Sequence, residues 1–198
     1  MRLRTALCDL LGIEHPIVQS GMGGVAGPDL VAEVSRAGAL GILAGLNVPP
    51  EDLRTMIRRV RALTDRPFGV NLWLHPAVES PPDPAAIPEA DLRGAQAVLD
   101  RFRERLGLPP SDVRPAPLPE LVQAGFEVVL EERVPVFSVG LGDPGAARVR
   151  ACHERGIKVM AMVATVEDAR TVDAEGVDVI VAQGGEAGGH RSVWREPA

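Results

Sequence analysis

Apolar and polar positions follow two rhythms along this chain. Short apolar runs predict strands at Pro16 to Ser20, Ala39 to Ala44, Phe68 to Leu72, Pro135 to Val139, Ile157 to Met162 and Val177 to Ala182. Between them the apolar spacing widens to three and four. Pro28 to Ala37 reads as a helix, with Pro28 suited to the first turn and Gly38 to the C-terminal cap. A helix starting near Pro50 sets Leu53, Met56, Ile57, Val60 and Leu63 on one stripe. Further helices are expected at about 118–132, from Pro144 to Arg155 and from Val166 to Ala174. Gly156 and Gly176 stand where a helix should stop before the next strand.

Repeated strand–helix units with β-branched strands imply a parallel sheet covered by helices. A doubly wound open sheet and a β/α barrel both fit. The lack of a G-x-G-x-x-G turn followed by a ribose-binding acid favours the barrel. Six strands are two short of an eight-stranded closure, and 198 residues fall below the ~250 typical of that fold. Pattern alone therefore leaves a complete open sheet and a cut barrel both open. Residues 1–198 read as a single domain, with a Pro-rich helical insertion at about 76–117. There Pro76, Pro81, Pro82, Pro84 and Pro88 lead into a helix whose Leu92, Ala95, Leu99, Phe102 and Leu106 share a stripe.

Composition narrows the function classes. With 45% apolar residues the chain can bury a sizeable core. Its net charge of −6 argues against nucleic acid, whose phosphates need a basic surface. There is no Tyr, and four Phe and two Trp leave few platforms for stacking bases. Cys8 and Cys152 lie far apart, outside any C-x-x-C pattern, which indicates neither a disulfide framework nor a zinc site and points to a reduced, cytoplasmic setting. The opening MRLRTALCDLLG is interrupted by Asp9 and lacks the long apolar stretch of a secretory signal. No window approaches the roughly 20 apolar residues needed to span a membrane, so no membrane partner is expected. The four histidines show no metal-ligand spacing, no metal is expected, and no G-x-S-x-G appears.

In either parallel architecture, ligands bind at the carboxyl ends of the strands. The residues there are Gln19 to Gly24, Gly45 and Asn47, Asn71 to His75, Gly140 to Asp143, and Gln183 to Arg191. Glycines and amides dominate, which suits a flat heterocycle and its phosphate better than a hard metal ion. In "GGEAGGHR" (184–191) four glycines surround Glu186 and His190. They serve equally as a long turn with positive φ angles or as room for a ligand. Asn71, Gln19 and Gln183 have a similar double reading, as ligand contacts or as amides satisfying backbone. His75 suits a loop role, and His15 and His153 suit the surface. His190 is the side chain best suited to proton transfer near neutral pH, and Glu186 could orient it or face solvent.

Four segments, "HPIVQSGMGGVAGPDLVAEVSRAGALGIL", "RPFGVNLWL", "VPVFSVGLGDP" and "VIVAQGGEAGGHR", together resemble the nitronate monooxygenase (2-nitropropane dioxygenase) family and occur in its order. The last is the most specific, and flavin-dependent enoyl-acyl carrier protein reductases and quinone reductases share it. The resemblance implies a (β/α)8 TIM barrel that binds FMN. It also implies oxidation of alkyl nitronates (nitroalkanes) by dioxygen to carbonyl compounds and nitrite. Matched position by position, Gln19, Ser20, Gly21 and Met22 fall in the first flavin-contacting loop. Asn71, Gln183 and Gly188 fall on further FMN contacts, and His190 on the catalytic histidine. Gly21 stands where many members have proline, which reshapes the first loop.

The family continues past the histidine loop with two more βα units, which carry most of the flavin phosphate contacts, whereas this sequence stops eight residues after His190. The resemblance thus implies an N-terminal portion, truncated after about six βα units. Weak FMN binding is expected unless a partner, such as a second copy in a homo-oligomer, completes the barrel. Two other readings stand beside nitronate oxidation. One is an NAD(P)H-dependent flavin reductase of the same fold, and the other a truncated, non-catalytic homologue.

Overall fold

The computed structural model describes residues 3–81, 83–111, 115–117 and 119–194. Its strands are β1 (Val18–Gln19), β2 (Leu40–Ala44), β3 (Phe68–Leu74), β4 (Val136–Gly142), β5 (Lys158–Val163) and β6 (Val179–Ala182). Its helices are α1 (Ala6–Leu11), α2 (Pro28–Arg36), α3 (Pro50–Leu63), α4 (Pro76–Glu79), α5 (Glu89–Arg105), α6 (Val122–Glu131), α7 (Gly145–His153) and α8 (Val166–Ala174). The strands pair in chain order, β1 to β6, and every pair is parallel. A doubly wound sheet reverses its strand order at a switch point, and this order has none. The fold is of the (β/α)8-barrel class, represented by six of its strands.

The chain divides into two compact units, Met1–Glu79 with Glu120–Ala198, and Ser80–Pro119. In the first unit, strand alternation builds two cores back to back, because successive side chains point to opposite faces. One face carries Leu43, Val70, Leu72, Phe137, Val139, Val159 and Ala161. They pack with Leu53, Ile57 and Val60 of α3, Phe126 and Val129 of α6, Val149 and Cys152 of α7 and Val172 of α8. Phe126 and Phe137 meet with ring centroids 5.2 Å apart. The opposite face carries Leu40, Ile42, Val136 and Met160, covered by Cys8, Leu11 and Ile13. Helix α1 was not foreseen, because Asp9 breaks its apolar run. Its Cys8 and Leu11 are nevertheless buried, while Asp9 faces outward to Arg4.

Several element ends differ from expectation, by one or two residues in β5, β6 and α7 and more clearly elsewhere. Strand β1 is only two residues long, since the Ile17 N–H turns back to the His15 carbonyl (2.7 Å). β3 and β4 run on past Leu72 and Val139, to Leu74 and Gly142. There the register shifts from Leu72 opposite Val139 to Trp73 opposite Leu141, leaving Gly140 as the extra residue of a bulge. The expected helix start at Leu118 lies outside the described residues, as does Pro82, and the described helix α6 begins at Val122. Gly38, Gly156 and Gly176 take the left-handed conformation expected of helix stops (φ 87°, 73° and 87°).

The second unit holds a 3-10 turn (Pro84–Ala86), capped by Asp83 through the Ala85 N–H (2.9 Å), and then α5. Asp100 of α5 accepts from the Ser111 N–H (3.1 Å), folding the chain back along the helix. The apolar stripe of α5 is exposed, contrary to what its spacing suggests: Leu99 is 55%, Phe102 56% and Leu106 74% accessible. A periodic stripe states which face is apolar. Whether it is covered depends on a second layer, and α5 buries none of its residues.

Two ionic clusters tie the first unit. Glu132 receives Arg58 (2.8 Å), Arg61 (2.8 Å) and Arg54 (3.3 Å), joining α3 to the end of α6. Asp178, just before β6, accepts from the Val159 N–H (2.8 Å), His153 Nε2 (2.8 Å) and Lys158 Nζ (3.1 Å). Burial works to raise the Asp178 carboxyl. The Val159 N–H, His153 and Lys158 outweigh it and hold the group below its ordinary range. A carboxyl lowered in the folded state stabilises the fold above its unfolded value, and that contribution disappears as pH falls through the folded one. We therefore expect part of the chain's acid lability, below about pH 4, to be missing in Asp178→Asn. Thermal unfolding followed between pH 2 and pH 7 (on the order of the carboxylate range) should show a flatter acid limb, and an unchanged slope would contradict the assignment.

Gly41 gives a packing prediction. A Cβ there would sit 2.3 Å from the Val31 carbonyl oxygen and 2.8 Å from the Val31 Cα, so glycine is what lets α2 lie on β2. Gly41→Ala should cost about 3 kcal/mol or more in denaturant unfolding, at the upper end for overpacking. Gly94→Ala, in α5 with open space at its Cβ position, should be neutral or stabilising by up to about 1 kcal/mol.

Candidate functional site

The apolar face covered by α1 ends in polar and small residues toward the carboxyl ends of β3 and β4. Asn71 lies within β3, not at its end, and is 7% exposed. Its Nδ2 donates to Ser138 Oγ (3.1 Å) and to the Ser138 carbonyl (3.3 Å) on β4. Among the described residues its Oδ1 accepts no hydrogen bond, and Gly21 lies close by, because a Cβ on residue 21 would be 2.7 Å from the Asn71 Cβ. The first loop therefore reaches Asn71 only because residue 21 has no side chain. A proline there would have to shift the loop.

One step along β3, on the same face, stands Trp73. Gly140 of the bulge opens the space for both side chains. A Cβ there would lie 2.9 Å from Trp73 Nε1 and 3.0 Å from Asn71 Nδ2. The indole meets His190, with ring centroids 4.7 Å apart and planes inclined at 66°. His190 comes from the loop after β6, some 117 residues away in sequence, so sequence spacing carried no signal of the pair.

Gln183 holds that loop closed. Its Nε2 donates to the His190 carbonyl (2.8 Å) and its Oε1 accepts from the Ser192 N–H (2.8 Å), so one side-chain amide spans two peptide groups like a neighbouring strand. Ser192, fully buried, donates its hydroxyl to the Met162 carbonyl at β5 (2.8 Å). Arg191 donates to the carbonyls of Gly184 (2.8 Å) and Gly185 (3.3 Å). Of the loop glycines only Gly189 has a positive φ (82°). The Glu186 carboxylate folds over Gly184, whereas Gly185 and Gly188 face open space.

The structure thus links Gly21, Asn71, His190 and Gln183 through Trp73 and Gly140. The Gln19 amide is engaged with β2, donating to the Ile42 carbonyl (3.2 Å) and accepting from the Ile42 N–H (3.4 Å). It also donates to the Ser20 carbonyl. Ser20 is exposed, and Met22 is 41% exposed, its carbonyl closing a turn by accepting from Val25 (3.0 Å) and Ala26 (2.7 Å). Gly188 is exposed on the far part of its loop. His75 Nδ1 accepts from the Ala77 N–H (3.2 Å), a loop role, and His153 serves Asp178. Ser138 and Ser192 were not singled out from the sequence, and Trp73 and Gly140 only as members of the strand-end segments Asn71 to His75 and Gly140 to Asp143.

Chemically this face offers neutral amides, peptide groups, an indole and one imidazole. No group of three or more potential metal ligands occurs among the described residues, and no helix among them is long and apolar enough to cross a membrane. Such a donor set fits a flat, uncharged ring system lying over Asn71 beside an exposed imidazole.

The sequence profile described as nitronate monooxygenase matches residues 4–198. A nitronate monooxygenase of Pseudomonas aeruginosa PAO1 is 40% identical over 186 residues, covering 93% of this chain and 51% of that protein. Among solved structures, the nitroalkane oxidase of Streptomyces ansochromogenes is 32% identical with a TM-score of 0.79, covering 98% of this chain and 52% of its own. FabK from Thermotoga maritima is 34% identical with a TM-score of 0.70, covering 96% and 47%. The chain spans about half the length of the curated relatives it matches. On the strength of the profile and these relatives, the chain belongs to the nitronate monooxygenase family.

Proposed function

We propose that this chain forms the ring-binding and proton-transferring part of an FMN-dependent oxidoreductase acting on alkyl nitronates. The observation that carries the reading is that Gly21 lies against Asn71 while Trp73, two residues on along the same face of β3, meets His190. Along that face a buried amide meets a side-chain-free loop residue, and an indole meets an exposed imidazole. Family membership and the likeness to a nitroalkane oxidase support it. FMN, when bound, would accept the electrons of the nitronate and pass them to dioxygen, the co-substrate.

The chain's own residues do the rest. Asn71, fixed through Nδ2 to Ser138, presents Oδ1 to the ring system. Gly21 lets the first loop, with Ser20 and Met22, approach the same space, and Gln19 anchors that loop to β2. Gly185 and Gly188 leave peptide groups accessible for polar contacts. Gln183 fixes the backbone of His190. His190 then removes the α-proton of a nitroalkane, or binds the nitronate oxygens as a hydrogen-bond donor. Similarity to FabK supports a second reading, reduction with a nicotinamide cofactor. Consumption of NADPH without any nitronate would favour it.

Because these residues face the ring system and not a phosphate, weak binding is expected. A titration with FMN should perturb the flavin absorption band at high concentration, and Asn71→Ala should abolish that perturbation. A folded chain that leaves the band unchanged at saturating FMN would remove the flavin reading. His190→Ala should keep the perturbation while lowering nitrite formation from a nitroalkane, whose α-proton must first be removed, roughly 100-fold, the lower range for loss of a general base. Undiminished turnover would take His190 out of the chemistry.

A further inference from the structure

We infer that Trp73 is the positioning residue for His190, its indole fixing the imidazole over the face that carries Asn71. This rests on the assignment of proton transfer to His190. His190 is exposed and sits at the end of a glycine-rich loop, and among the described residues its ring makes no hydrogen bond or ion pair. What Gln183 holds is the peptide carbonyl of His190, which leaves the side-chain torsions free. An imidazole in that situation would exchange among rotamers in water. The indole contact is the one that selects a direction for the ring. Its 4.7 Å centroid distance and 66° inclination fall within the edge-to-face arrangement that aromatic pairs prefer.

The indole is itself held in place from the sheet. Trp73 lies on β3, half-buried, where the bulge has moved β4 by one residue. Gly140, the extra residue of the bulge, stands beside it, where a Cβ would lie 2.9 Å from Nε1. The chain of dependence runs from the bulge to Gly140, from Gly140 to the indole and from the indole to the imidazole. A base must be held at the proton it removes, since a misplacement of about 1 Å can cost roughly 100-fold in rate. A rigid strand supplies that placement better than a loop.

Proton NMR of the 198-residue chain tests this without any cofactor. The chain has four histidines, and the His190 signal is identified by its disappearance in His190→Gln. We expect the His190 ring protons to lie away from the positions of a free histidine, displaced by the indole ring current, and to show an Overhauser contact with the indole. Trp73→Leu should return them to the free position, Trp73→Phe should retain most of the displacement, and Trp194→Phe should leave it untouched. The proposal is overturned if the native chain shows neither displacement nor Overhauser contact. It is likewise overturned if Trp73→Leu leaves the His190 signal in place while the other three histidine signals stay at their native positions. Failure of the proton-transfer reading would be seen elsewhere, as undiminished turnover in His190→Ala, and would leave the ring-current result intact.

Discussion

The alternation of side chains along parallel strands makes every central strand serve two faces at once, and the site exists where one of those faces changes character. On β3 and β4 the face toward α3 and α6 stays apolar throughout, with Val70, Leu72, Phe137 and Val139. The opposite face changes from Val136 and its apolar neighbours to Asn71, Ser138 and Gly140 within a few residues. A buried amide needs a partner, and Ser138 provides one across the strand pair. The Asn71–Ser138 bond therefore marks the boundary between packed core and chemistry. Above it, residues are chosen for the space they leave.

That choice shows most clearly in the glycines. Gly21 and Gly140 are not turn residues with unusual dihedral angles; neither has a positive φ. They are required because Asn71 and Trp73 occupy the volume their side chains would need. In the histidine loop the pattern is mixed. Gly189 supplies a left-handed turn, Gly184 accommodates Glu186, and Gly185 and Gly188 expose their backbone. One composition thus covers three physical roles, and sequence alone does not tell them apart.

The rest of what was and was not legible follows from range. Strand positions and helix stops were readable because hydrophobic period and glycine caps are local. Gly156 and Gly176 end α7 and α8 as their sequence suggests. The ends of β3 and β4 were not, because the pairing resumes beyond the Gly140 bulge, with Trp73 opposite Leu141 and Leu74 opposite Gly142, regardless of apolarity. The exposed stripe of α5 shows the converse, a periodicity that states which face is apolar without burying it. Asn71, Gln183 and His190 were picked out by their place at strand ends, and the roles expected of them came from resemblance to a family motif. Trp73 needed the fold itself, since the bulge and the return of a distant loop bring it to His190.

Helix α1 has a temporal consequence. Its Cys8 and Leu11 pack not only beside Leu40 and Ile42 but also against Val136 and Met160. During synthesis the first helix emerges long before β4 and β5 exist. Contacts so distant along the chain carry a large loop-closure cost and form late. Until then the underside of the growing sheet has no complete cover, and its apolar residues are open to chaperones or to other nascent chains. A segment made well before those strands is thus among the last to find its place.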